Sequence, residues 1–142
     1  MRRIALAVGV SLALAIPAAT AAPSKTTVVK AAVSKTLKTT ILVDGRGMTL
    51  YLLTSDPKGV STCAALGPDC PTSWPALRAR VTAGAGVKAS LLGRTKDGKQ
   101  ATYAGHPLYY YVGDKKPGDL NGQGIFSIWY VVSPPGKAVK KS

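Results

Sequence analysis

Two stretches decide the fold: GMTLYLLTSD at residues 47–56 and GHPLYYYVGD at residues 105–114. Set at an offset of 58 residues, they share the pattern G-x-x-L-Y-x-x-x-x-D. Similar flanks follow each copy: Lys58 and Gly59 after the first, Lys115 to Gly118 after the second, and further on a tryptophan, Trp74 or Trp129. Physical chemistry assigns each shared residue a task. Gly47 and Gly105 stand where a hairpin turn calls for positive φ. Side chains alternate along a strand, which puts Tyr109 and Tyr111 on one face and Leu108, Tyr110 and Val112 on the other. Asp56 and Asp114 fall just past the strand ends, where a carboxylate accepts backbone N–H groups in an Asx-turn. The expectation is two related strand–turn units building one core. A second use of the same residues is an aromatic binding face made by Tyr51, Trp74, Tyr109, Tyr111 and Trp129.

Outward from these units the pattern stays extended. Residues 39–43 and 48–54 flank the turn at 44–47 and predict a β-hairpin. Residues 91–96, 99–103 and 107–112, separated by Asp97-Gly98 and Ala104-Gly105, predict a three-stranded meander. A last strand spans 128–132 before Pro134 and Pro135. A short helix within 83–92 is the sole helical signal in this part of the chain. The predicted class is therefore all-β, a small antiparallel domain over residues 39–133.

The first 21 residues read as a secretory signal peptide. Arg2 and Arg3 are basic, residues 4–16 are apolar, Pro17 breaks the run, and Ala19 to Ala21 supply small residues for cleavage. Thirteen apolar residues reach about 20 Å as a helix, short of the roughly 30 Å of a bilayer core. No transmembrane segment is expected after cleavage, and no cysteine follows the apolar run to carry a lipid anchor. Two basic segments complete the expected organisation, a flexible arm at 22–38 and a tail at 134–142.

Charge restricts the functional classes. Nineteen Lys and Arg face six acids, all of them Asp, for a formal charge of +13 that falls by two if Arg2 and Arg3 are removed. Such an excess favours anionic surfaces: wall polymers, acidic polysaccharide or lipid headgroups. Export argues against nucleic acid. With no Glu and a single His, glutamate-based zinc chemistry and four-ligand His/Cys centres are excluded. No G-x-S-x-G elbow is present, and Asp56 and Asp114 have sufficient roles in turns. The chain is thus expected to be non-catalytic.

Cys63 and Cys70 bracket a short, proline-stiffened loop. In an exported protein such a pair is most simply a disulfide. The alternatives are a redox pair, which lacks C-x-x-C spacing, and metal ligation. Asp119, Asn121 and Gly122 resemble the front of a calcium loop, to which Asp114 adds a carboxylate, although the closing bidentate Glu is missing. An empty Gly-rich turn ordered by Asp119 explains the same residues, and no cofactor is required. His106 and Met48, with a cysteine, suit a soft copper ion, but nothing in their spacing demands one.

The second unit, with Tyr109, Tyr111 and Asp114, resembles the bacterial secreted-repeat family of predicted lipoproteins that carries a Y-x-[FWY]-x-x-D motif. The first, with Tyr51 and Asp56, departs from it by placing Leu53 at the aromatic position. Resemblance continues in Cys63, Cys70 and the segment 74–77, in 100–105 and in 117–124, and covers about Gly45 to Trp129. It implies a secreted protein of unknown molecular function, with a loose association with alkane metabolism in some relatives. Together these observations lead to the expectation of an exported cell-envelope binding module for an anionic partner. The alternative is an envelope metal-binding or redox accessory protein.

Overall fold

The computed structural model describes residues 9–17 and 25–141. The expected signal peptide falls mostly outside these residues; 9–17 carry no regular structure. Among the described residues, no helix is long and apolar enough to cross a membrane. The strands are β1 (Thr26–Ser34), β2 (Thr39–Asp44), β3 (Tyr51–Leu53), β4 (Arg80–Ala83), β5 (Leu92–Arg94), β6 (Ala101–Tyr103), β7 (His106–Pro107) and β8 (Trp129–Val131). A helix of little more than one turn, α1 (Asp69–Ser73), and three 3₁₀ turns complete the regular structure. The mostly β class expected from sequence is the one observed.

Three small sheets are formed: β2-β1-β4, β3-β8 and β5-β6-β7. Pairing is antiparallel except between β1 and β4, which run parallel with Thr26 opposite Arg80. The expected hairpin of 39–43 with 48–54 is limited to the residues beside its turn, where Val43 bridges Thr49 and the Asp44 N–H donates to Met48 O at 2.8 Å; beyond it β2 pairs with β1, and β3 leaves to pair with β8. The expected meander is β5-β6-β7, and the helix predicted within 83–92 shrinks to a 3₁₀ turn at Ala89–Leu91.

The flexible arm expected at 22–38 is corrected over its described residues, 25–38. β1 occupies nine of them, Val29 is fully buried and Leu37 nearly so. The Lys residues that suggested an arm are separated by small and β-branched residues, and the backbone of this stretch is paired along both edges, with β2 on one side and β4 on the other. Part of the expected basic tail is likewise docked: Val139 is buried and its N–H donates to Val131 O at 2.9 Å.

The core explains why the central strands read as continuous apolar runs. Along β2 and β3, Ile41, Val43, Tyr51 and Leu53 enter one apolar cluster, whereas Leu42 and Leu52 enter another. Both faces of these strands are therefore covered, so hydrophobic-in, polar-out alternation is absent. The first cluster holds Trp74, Tyr109 and Trp129; the second holds Leu50, Leu77, Tyr103, Leu108 and Val132.

Candidate functional site

The two sequence units meet backbone to backbone. The Tyr51 N–H donates to Tyr109 O at 2.9 Å, and the Tyr109 N–H donates to Tyr51 O at 3.0 Å. Around this bridge the contacts come in corresponding pairs. The Tyr51 hydroxyl donates to Asp114 Oδ2 and the Tyr109 hydroxyl to Asp56 Oδ2, both at 2.7 Å. The second oxygen of Asp114 accepts the Asn121 N–H, and that of Asp56 accepts the Thr62 N–H and hydroxyl. Tyr51 meets Trp74 edge-on at 5.4 Å between ring centroids, and Tyr109 meets Trp129 edge-on at 5.1 Å. Between these two pairs, Trp74 and Trp129 stack at 3.9 Å with planes 2° apart.

Strand pairing crosses between the units. Tyr51 pairs with Val131, two residues beyond Trp129, and Tyr109 bridges Ala76, two residues beyond Trp74. The Leu42 N–H reaches Val132 O at 2.8 Å, and the Ala101 N–H reaches Leu77 O at the same distance. Each tyrosine strand thus completes its pairing with the segment that follows the other unit's tryptophan. Gly122 sits against the Trp74 and Tyr51 rings, where an added Cβ would lie 2.8 Å from Trp74 Cη2. This close approach, rather than a turn, requires the glycine.

The expected aromatic binding face is corrected by this packing. Tyr51, Trp74, Tyr109 and Trp129 are all at most 4% exposed, and only Tyr111, tilted on Trp74 at 4.4 Å, is partly accessible. Their rings fill the core because both faces of their strands are covered. Burial pushes the Tyr51 phenol above its ordinary range, and the adjacent Asp114 carboxylate adds to it. Burial, followed by the Asp56 carboxylate, does the same for Tyr109. Burial also raises the Asp114 carboxyl, although Tyr51 and Asn121 donate to it. The tyrosines therefore act as neutral donors to carboxylates in a dry interior, which the strand-end position of Asp56 and Asp114 did not reveal. Those carboxylates span the units as well as ordering turns.

Cys63 and Cys70 form a disulfide with Cα atoms 5.5 Å apart, enclosing the start of α1. Asp114, Asp119 and Asn121 come together in one loop, where the carboxylates of Asp114 and Asp119 accept hydrogen bonds from the protein itself. Asp119 Oδ2 accepts the Lys115 and Lys116 N–H groups, which lowers its pKa, and Asn121 Nδ2 donates to Gly113 O. No group of three or more His, Cys, Asp or Glu suited to a metal occurs among the described residues. His106 is half-buried in β7, and burial together with Lys58 holds its pKa below the ordinary imidazole value.

Half of the acids are drawn into the interior, whereas the cations stay at the surface. Asp44, Asp56 and Asp114 are buried. Asp44 accepts the Arg46 and Met48 N–H groups, the Arg46 guanidinium and the Tyr110 hydroxyl. Burial alone would raise its pKa, but these donors together bring it below the ordinary carboxylate value. Asp97 is bound by the Thr95 hydroxyl and the Lys99 N–H. Among the described residues the ion pairs are two, Arg46 with Asp44 at 2.9 Å and Lys116 with Asp119 at 3.8 Å.

Residues 92–133 match the model of a family described as a secreted repeat of unknown function. The segment contains β5 to β8, Tyr109, Asp114 and Trp129. No curated protein and no solved structure matches the chain. A secreted family and a disulfide agree on an extracytoplasmic location.

Proposed function

We infer, from a segment that matches a secreted family of unknown function, that the chain is an extracellular, non-catalytic module that binds anionic polymer through its surface charge. The observation that carries this is the separation of charge. Half of the acids are buried, Asp97 and Asp119 are bound within turns, and most cations of the described residues have no carboxylate partner. A protein whose acids hold its own loops together presents an almost uniformly positive field to its surroundings. The aromatic contribution drops out of the proposal, since the rings face inward. In this reading the two units are copies of one element, interlocked so that the aromatic and carboxylate residues serve the scaffold. The exposed Lys and Arg residues are then left for binding.

Retention on immobilised dextran sulfate, with neutral dextran as the control, tests this. The oxidised protein is expected to bind dextran sulfate at low salt and to elute above about 0.15 M, where exposed charges are screened beyond about 8 Å. Passage through both columns at low salt would overturn the proposal.

A further inference from the structure

We propose that the cleft walled by Lys25, Arg78, Arg80 and Arg94 is the seat of a linear phosphate-bearing polymer, a deepening that rests on the polyanion reading above. The cleft, of about 960 Å³, runs between β4 with the residues preceding it and β5 with the turn that follows it, over a floor that includes Val81 and Leu92. Its position follows from the parallel pairing of β1 and β4: the Arg80 N–H donates to Lys25 O at 3.0 Å, which sets Lys25 beside Arg80.

Arg94 fixes the geometry. Its guanidinium donates to Ala79 O at 2.8 Å, Arg78 O at 3.1 Å and Gly98 O at 2.9 Å, joining the two walls through carbonyls alone. A cation held by dipoles keeps its full charge, so it contributes field at a fixed point of the cleft. Arg78, Arg80 and Lys25 are exposed and have no ion pair among the described residues. No carboxylate lines the cleft. Asp97, whose field reaches Arg78, is bound by Thr95 and Lys99.

The lining selects the ligand. Guanidinium forks favour phosphate over a simple halide or solvent ion, because their paired N–H groups match two oxygens. No aromatic residue lines the cleft, so neither bases nor sugar rings have a stacking platform. A concave site suits a narrow chain, whereas a bilayer surface is met by projecting cations. A polymer of closely spaced phosphates satisfies all three conditions.

Long-chain inorganic polyphosphate is the probe, titrated calorimetrically against the full oxidised chain at low salt. Arg78→Gln/Arg80→Gln is compared with Lys140→Gln/Lys141→Gln, which removes the same charge from a separate cleft shared with Lys38. Unchanged thermal melting and circular dichroism establish that each variant is folded; should the arginine pair fail this, Lys25→Gln replaces it. The arginine pair is expected to lose about tenfold in affinity and the lysine pair less than about threefold. Equal losses would overturn the cleft while leaving general polyanion binding intact. Absence of wild-type binding to both polyphosphate and dextran sulfate would remove both proposals. If the arginine pair lost binding to phosphatidylglycerol vesicles while its polyphosphate affinity matched the wild type, the cleft would belong to lipid headgroups and the polymer assignment would be overturned.

Discussion

Tyr51 and Tyr109 make matching bonds, yet they are not equivalent. Removal of the Tyr51 hydroxyl strands Asp114 Oδ2 and also the Gly122 N–H, which donates to the same hydroxyl at 3.2 Å. Removal of the Tyr109 hydroxyl strands Asp56 Oδ2 and leaves Ser61, at 2.6 Å, free to turn to water. Leaving a buried polar group unpaired costs about 1–3 kcal/mol. Tyr51→Phe is therefore expected to destabilise by about 2–3 kcal/mol and Tyr109→Phe by less, as read by urea unfolding; the reverse order would contradict the geometry. The same burial governs alkaline pH. Tyr51, Tyr109 and Tyr110 all have phenols raised above the ordinary value near 10, so the unfolded state releases protons that the folded state retains. Stability is thus fully present below about pH 10 and declines above it. Phenolate absorbance from these three is expected to appear with the unfolding transition, and a smooth titration of all tyrosines in the folded protein would disprove it.

Among the elements, the loop closed by Cys63 and Cys70 lies against the cluster that holds the stacked tryptophans, with Cys63 buried in it. It includes a 3₁₀ turn and the start of the short α1, a helix with no buried residue of its own. So short a helix has little intrinsic stability. The disulfide supplies the constraint, and closing a loop of this size contributes about 2.5 kcal/mol in the chain-entropy model. Replacement of both cysteines by Ser is expected to lower stability by about 2–3 kcal/mol in urea, with far-UV circular dichroism nearly unchanged because the sheets lie elsewhere. Collapse of the β signal would show that the loop nucleates the core. β1 carries the opposite lesson: a lysine-dotted segment with no aromatic residue becomes the longest strand because two partners cover it. Its apolar content is modest, so pairing on both edges decides its conformation.

At the level of the whole molecule, interlocking is the main structural fact. Within the matched segment 92–133, β8 pairs with β3, and Tyr109 bridges both Tyr51 and Ala76. All three partners precede the segment. A fragment limited to 92–133 would expose Trp129 and Tyr109 and leave β8 without its neighbour. It is expected to show no cooperative thermal transition and no near-UV signal from packed aromatics, whereas residues 25–141 are expected to show both. A cooperatively folded fragment would mean that the units are independent. The same interlocking leaves function to the periphery, since the residues that couple the units are buried and occupied.

How much of this was legible before folding depended on the range of the interaction. Gly47 and Gly105 adopt φ of 86° and 82° at their expected turns, the cysteines pair, and the strand-rich class follows from short apolar runs punctuated by glycine, proline and aspartate. These are properties of neighbouring residues and of composition, which a sequence carries directly. The exported character rested on composition and on the N-terminal run in the same way. The exposure of Tyr51, Trp74, Tyr109 and Trp129, the pairing of β1 with β4 and the second role of Asp56 and Asp114 were not legible, because each is set by a partner more than 45 residues distant along the chain. Alternation along a strand distinguishes two faces, but it cannot tell a solvated face from one covered by a distant segment. Likewise the number of cations is written in the sequence, whereas the convergence of Lys25, Arg78, Arg80 and Arg94 on one cleft arises from the parallel pairing of β1 with β4 and from the carbonyl contacts of Arg94.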